Sequence, residues 1–198
     1  MAVNFKNSET KDNLMRAFAG ESQARNRYIF AAEQAKEQKL QVLERIFRYT
    51  ADQEQEHAKV FYDFLKEMAG ETIHIDGGYP VDIDQSMAGL LRMAEHNELE
   101  EYNVVYKAFG DKAKEEGFTA VAYSFYQIAE IEKSHAERFG RYAQWAEADR
   151  LFSAEGETYW MCLNCGHIHK APAAPGKCPV CQHDQGYFVR LEEAPWTK

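Results

Sequence analysis

From about Ser8 to about Glu147 apolar residues return every three or four positions against a background rich in Ala, Glu, Lys, Gln and Leu, the period of one helical face. Interruptions of that period predict four helices, over roughly 8–37, 40–69, 86–116 and 118–147. Ser8 and Ser86 are placed to cap the first and third helices, and Gly70 and Gly117 to stop the second and third. The segment from Gly70 to Gln85 contains Gly77-Gly78-Tyr79-Pro80 and has no helical period. A helix over 40–69 is about 45 Å long, and the extended linker reaches roughly 50 Å. The linker can therefore run the length of the bundle. The expectation is an all-α four-helix bundle, two helical hairpins joined by one long crossover.

After Ala148 the composition shifts to Gly, Pro, Cys and aromatic residues, which divides the chain into 1–150 and a small module over 151–198. Forty-odd residues rarely fold on a hydrophobic core alone. All four cysteines fall here, in the pairs Cys162-Leu163-Asn164-Cys165 and Cys178-Pro179-Val180-Cys181. Four thiolates at that spacing form a tetrahedral site for zinc or a single iron, and the bound metal would supply the missing stability. Tyr159, Trp160, Tyr187, Phe188 and Trp196 are the expected core of the module.

Composition narrows the remaining classes. A chain of 198 residues with 45% hydrophobic content can bury a core. Its net charge of -9 argues against nucleic acid or an anionic membrane surface as partner, since such binding depends on Lys and Arg. No apolar run approaches the ~20 residues of a membrane span and the first residues lack a signal-peptide pattern, so the expected compartment is the cytoplasm. In that reducing compartment clustered cysteines read as metal ligands.

The chemistry-bearing residues sit on the predicted helices. Glu54-Gln55-Glu56-His57 and Glu132-Lys133-Ser134-His135 each place a carboxylate and an imidazole three residues apart, on one helical face. Helix one contributes Glu21, and helix three contributes Glu95 and Glu98, again three apart. Glu21 and Glu54 are centred on 37–38, and Glu95 and Glu132 on 113–114, so both hairpins are expected to bring their acids to one level. Leu14, Phe18, Phe47, Phe61, Leu91, Phe125, Ile128 and Phe139 flank them, which turns the acids inward. Five buried carboxylates without counter-charge would be prohibitively costly. Two metal cations would offset that charge, and mixed carboxylate and imidazole ligation suits iron or manganese. The set matches the known pattern of diiron-carboxylate bundles. His74, His96, His167, His169 and His183 lack ligand spacing and read as solvated.

With Gly20-Glu21-Ser22-Gln23-Ala24-Arg25-Asn26-Arg27-Tyr28, the two Glu-x-x-His motifs, the additional Glu95-x-x-Glu98 and the paired Cys-x-x-Cys, the chain resembles the rubrerythrin family over nearly all its length. The resemblance implies a ferritin-like bundle followed by a rubredoxin-like domain, two iron ions in the bundle and one iron at Cys162, Cys165, Cys178 and Cys181. It implies Glu54 and Glu132 as bridging ligands, Glu21 on one iron, and Glu95 with His135 on the other. Glu98 and His57 would alternate on the first iron and so carry the catalytic exchange. Tyr28 and Tyr102 would donate hydrogen bonds to the ligands. The activity implied is reduction of hydrogen peroxide to water. The cysteine iron, on a mobile tail, would relay electrons from a separate reductase or rubredoxin fed ultimately by a reduced nicotinamide. A homodimer or higher homo-oligomer is implied as well. The competing class is a ferroxidase or iron-storage protein of the same bundle type.

Overall fold

The computed structural model describes residues 3–194. Ser8 caps α1 (Glu9–Glu37), its hydroxyl accepting from the Lys11 N–H. The chain turns at Lys39 into α2 (Gln41–Phe64), which gives way to a short 3-10 turn at Lys66–Met68 rather than remaining α-helical to residue 69. Ser86 caps α3 (Met87–Glu100) by accepting from the Gly89 N–H. This helix continues through one π-helical segment, Glu101–Val105, into α4 (Tyr106–Glu115). Gly117, at φ +93°, makes the left-handed turn that β-carbon-bearing residues resist, and α5 (Thr119–Glu147) closes the bundle. Four helical rods thus pack as two hairpins, α1 with α2 and α3–α4 with α5. The sequence pattern did not anticipate the π segment.

The crossover follows α1 along its length. Arg16 bonds Asp76, Arg27 bonds Asp82, and the Gln34 and Gln38 amides donate to the carbonyls of Asp84 and Gln85. From residue 16 to residue 38 a helix rises about 33 Å, a distance the extended strap covers in about ten residues. Asn97 also donates to Asp82, at 2.8 Å, so the strap is tied to both hairpins.

Two apolar clusters fill the bundle. One, near the α1–α2 turn, gathers Tyr28, Leu43, Phe47, Leu91 and Phe139; the other, toward the opposite end, gathers Leu14, Phe61, Tyr106, Val121 and Phe125. Between them lies a layer of buried polar side chains: Glu21, Glu54, His57, Glu98, Glu132 and His135. The hydrophobic ends provide the burial energy, at about 25 cal/mol per Å² of apolar surface, and leave the polar layer isolated from water.

Beyond α5 the chain forms a three-stranded antiparallel sheet of order β2-β1-β3, from β1 (Ser153–Cys162), β2 (Ile168–Ala173) and β3 (Phe188–Arg190). Trp160 faces His169 on one side and Arg190 on the other. Trp160, Cys162, Cys178 and Phe188 are the small core, with Tyr187 packed against it. Tyr159 is half exposed beside Lys170 and contributes little to that core; Trp196 lies outside the described residues.

The module is docked rather than tethered as a mobile tail. Met161, Val189 and Ala194 belong to the same buried cluster as Val42, Leu43 and Tyr142. The Arg190 guanidinium lies 4.0 Å from the Trp145 ring centroid and 5.1 Å from that of Trp160, clamping bundle to sheet. A β-carbon at Gly186 would fall 1.9 Å from the Lys39 carbonyl oxygen, so only glycine permits this approach. No helix among the described residues is long and apolar enough to cross a membrane.

Candidate metal centres

Glu54 and His57 on α2, and Glu132 and His135 on α5, share faces by their three-residue spacing. His57 Nδ1 lies 3.1 Å from Glu54 Oε2, 3.0 Å from Glu132 Oε1 and 3.8 Å from Glu21 Oε2. His135 Nδ1 lies 3.0 Å from Glu54 Oε1, 2.9 Å from Glu132 Oε2 and 3.7 Å from Glu98 Oε2. Glu54 and Glu132 therefore each turn one oxygen toward one imidazole and the other oxygen toward the second, the arrangement of a bridging carboxylate. Glu21 and Glu98 each serve one side only. Two four-residue sets result, Glu21, Glu54, His57, Glu132 and Glu54, Glu98, Glu132, His135, each with ligand atoms within 4.8 Å of one another.

Several of these atoms are buried with no hydrogen-bond partner among the described residues: Glu21 Oε2, Glu54 Oε1, Glu98 Oε2, both Glu132 oxygens and His135 Nδ1. Such groups cost free energy unless something else satisfies them. Metal bonds of about 2.1 Å meeting near a right angle put neighbouring ligand atoms about 3 Å apart, the spacing seen. The donor set thus fits a pair of cations.

The surroundings hold the ligands in place. Tyr28 donates to Glu98 Oε1, and Tyr106 donates to Glu21 Oε1. Each terminal carboxylate therefore has one oxygen pinned by a buried tyrosine and the other free to face the site. Gln53 Oε1 lies 3.1 Å from His135 Nε2, the outer ring nitrogen, which orients the imidazole with Nδ1 inward.

Without a cation the charges are unbalanced. Burial pushes the Glu21 carboxyl well up, and Glu132 pushes it further. Burial and the Glu54 charge bring Glu98 up to about 8. Burial opposes ionisation of Glu54 too, but the neighbouring His135 and His57 imidazoles outweigh it and hold this carboxyl low. Burial disfavours the charged imidazoles, yet the surrounding glutamates raise both His57 and His135.

Two placements differ from the expectation. Glu95 is not among the assembled groups: its carboxylate accepts from Arg92 at 2.6 Å and rests against Gly140 on α5. Glu98 faces His135, rather than sharing the first set with His57. One further turn along, Glu101 opens the π segment. Burial raises its carboxyl well above the usual range, with further contributions from Glu21, Glu98, Glu132 and Glu54. Glu95, Glu98 and Glu101 form a ladder of three-residue steps; of the pair the sequence suggested, Glu98 joins the assembled groups and Glu95 does not. Tyr102 lies 5.4 Å from the Lys133 ammonium; Tyr106 has the ligand-bonding role expected of it.

In the small module the Cys162 and Cys181 sulfurs are 3.7 Å apart, and those of Cys165 and Cys178 3.6 Å. These separations are far beyond a disulfide and match the edges of a tetrahedron of about 2.3 Å metal–sulfur bonds, roughly 3.8 Å. Each knuckle is closed by backbone bonds, Gly166 N–H to the Cys162 carbonyl and Gln182 N–H to the Cys178 carbonyl. Gly166 and Gln182 adopt positive φ to make these turns. The backbone amide of His183 helps bring the Cys181 thiol down to about 6.

Comparison with known proteins agrees in both parts of the chain. The family model described as rubrerythrin matches residues 12–143, and that of the rubrerythrin rubredoxin-like domain matches 160–189. Rubrerythrin of Clostridium perfringens is 40% identical over 189 residues, covering 95% of this chain and 97% of the relative. A solved structure of nigerythrin in a mixed-valence state is 28% identical, with a TM-score of 0.62, over 96% of this chain and 94% of that one. Bacterioferritin BfrA of Mycobacterium tuberculosis is 18% identical with a TM-score of 0.62, over 76% of this chain and 91% of that one, a likeness of fold alone.

Proposed function

The chain belongs to the rubrerythrin family, and from that premise we propose that it is an oxidoreductase that reduces hydrogen peroxide to water. The family's cofactors are a diiron site and a rubredoxin-like iron, and the two glutamate–histidine sets and the four cysteines have the donors for both. The observation that carries the reading is the pairing, in one chain, of two ligand sets sharing Glu54 and Glu132 with a separate four-thiolate site.

When bound, a pair of iron ions supplies two-electron redox chemistry. The residues of this chain hold and shield it. Glu54 and Glu132 would be shared between the two cations, with Glu21 and His57 holding one and Glu98 and His135 the other. Tyr106 and Tyr28 keep Glu21 and Glu98 in position. Glu101, partly buried beside the cluster, has a carboxyl that keeps its proton to higher pH and can pass it to a leaving oxygen. Cys162, Cys165, Cys178 and Cys181 would hold an iron able to pass single electrons from a reductase or rubredoxin, in a protein that functions as a cytoplasmic homo-oligomer.

The test is catalytic peroxide consumption by the iron-loaded protein with a chemical reductant and no oxygen. Sustained turnover is expected, with about one peroxide consumed per two electrons. Uptake and mineralisation of ferrous iron without peroxide turnover would instead make this an iron-storage protein.

A further inference from the structure

A pocket of about 250 Å³ opens beside the carboxylate cluster, between α1, the π segment and the crossover strap. Two of its wall residues belong to the cluster's surroundings. Tyr106 donates to Glu21, and Glu101 is electrostatically joined to Glu21, Glu98, Glu132 and Glu54. Gly20, immediately before Glu21, forms part of the floor. A second pocket, beneath Asp82 and Ile83, reaches Tyr28 but has no glutamate in its lining.

The roof is Gly77-Gly78-Tyr79-Pro80. The Tyr79 ring folds over Gly77, lies 3.8 Å from where a β-carbon would stand at Gly20, and its hydroxyl donates to the Arg16 carbonyl at 3.2 Å. The two ends of this roof are held unequally. At one end Arg16 pairs with an Asp76 that is 93% exposed, a contact of little energetic weight. At the other, the largely buried Asp82 is gripped by Arg27 and Asn97. The strap is therefore held by buried charged contacts at Asp82, and around Gly77 and Gly78 only by exposed bonds between Arg16 and Asp76 and from Tyr79 to the Arg16 carbonyl.

Resting on the peroxide-reducing reading above, we propose that this pocket is the substrate entrance, that it admits small organic hydroperoxides, and that Tyr79 sets their size limit. Hydrogen peroxide is far smaller than the space. A cavity of about 150 Å³ is enough for benzene, so 250 Å³ accommodates a phenyl or tert-butyl substituent. Ala17, Val105, Phe109 and Pro80 give that substituent apolar walls, while Glu101 marks the polar end where the O–O group would lie. In the reaction the O–O bond breaks, two electrons come from the reduced iron pair that the cluster would hold, and two protons come from solvent. The products are one alcohol and one water.

The experiment combines binding with selectivity. Oxidised, iron-loaded full-length protein is titrated with 2-phenyl-2-propanol, the alcohol product of cumene hydroperoxide, while the ligand's NMR relaxation is followed. Saturable binding with relaxation enhanced by the nearby metal is expected. Gly20→Leu should abolish it while iron content and helical circular dichroism remain. In turnover, Tyr79→Ala should raise kcat/KM for cumene hydroperoxide relative to that for hydrogen peroxide by about tenfold, through a lower KM for the larger substrate. Absence of saturable binding, or binding unaffected by Gly20→Leu, overturns the pocket assignment. An unchanged ratio of the two substrates in Tyr79→Ala overturns the gate. Failure of the wild type to reduce hydrogen peroxide at all would count against the peroxidase reading, and the binding experiment would still decide whether the pocket receives such a molecule.

Discussion

The three glutamates spaced along the third rod have the same chemistry and different surroundings, and those surroundings assign their roles. Glu95 is paired with an arginine at the surface of the bundle, Glu98 points an unpartnered oxygen into the cluster, and Glu101 stands between cluster and pocket. Glu95→Gln should therefore leave both irons bound and cost at most about 1 kcal/mol of stability, the usual weight of an exposed ion pair. Glu101→Gln should keep two irons but slow peroxide turnover by about a hundredfold, the loss of one proton-transferring group. Iron analysis and steady-state rates on the two variants check this, and the reverse pattern would restore Glu95 as the ligand. The carboxyls also set a pH dependence. Glu98, ordinarily near 4.5, rises to about 8 in the metal-free fold, and Glu21 and Glu101 rise as well. An acid whose folded pKa is raised stabilises the fold fully below its unfolded pKa, and that contribution is lost as pH rises through the folded value. The melting temperature of metal-free protein should thus fall between about pH 5 and 8, whereas the iron-loaded protein, its carboxylates neutralised by cations, should show no such fall.

At the scale of elements, the π segment is the feature with functional consequence. Its wider turn accommodates an extra residue between Glu98, which faces His135, and Tyr106, which bonds Glu21 across the bundle. Deleting the exposed Asn103 should let Glu101–Val105 relax to α-helix. The variant is expected to melt no lower than wild type and to bind two irons, yet to lose turnover like Glu101→Gln because the carboxyl leaves the pocket wall; undiminished turnover would show that the π geometry is dispensable. The same segment explains what the sequence concealed. Helical period, the serine caps and the paired Glu-x-x-His motifs made the bundle and most of the cluster legible, because they depend on local spacing. The depth of residues on the third rod depends instead on where the hairpin turns and on any extra residue within it. The turn centres near Gly117 rather than at 113–114, and a π insertion leaves no mark in the apolar pattern. Counting from 113–114 selected Glu95, which lies against Arg92 and Gly140, and passed over Glu101, which lines the pocket beside the cluster. Tyr106 was overlooked for a related reason: its partner Glu21 is on another helix, beyond any local spacing rule.

Across the whole molecule, the sheet module and the bundle share a buried core, with Arg190 sandwiched by Trp145 and Trp160 and Leu163, next to Cys162, packed against bundle residues. The four cysteines would therefore hold an iron at a defined position relative to the bundle of their own chain. It also suits a protein that must refill a two-electron site one electron at a time. In the proposed function the two metal centres work in series, peroxide being reduced at the glutamate–histidine cluster with electrons replenished through the four cysteines. The most direct measurement mixes fully reduced, iron-loaded protein with hydrogen peroxide anaerobically and follows the visible absorption of the cysteine iron in a stopped-flow instrument. The expected result is rapid return of the oxidised thiolate-iron colour in the full chain, and no such colour in Cys162→Ser, whose bundle irons are still oxidised in a single turnover. A cysteine iron that stays reduced while the bundle irons are oxidised, or sustained turnover by Cys162→Ser at the wild-type rate with the same one-electron donor, would contradict it.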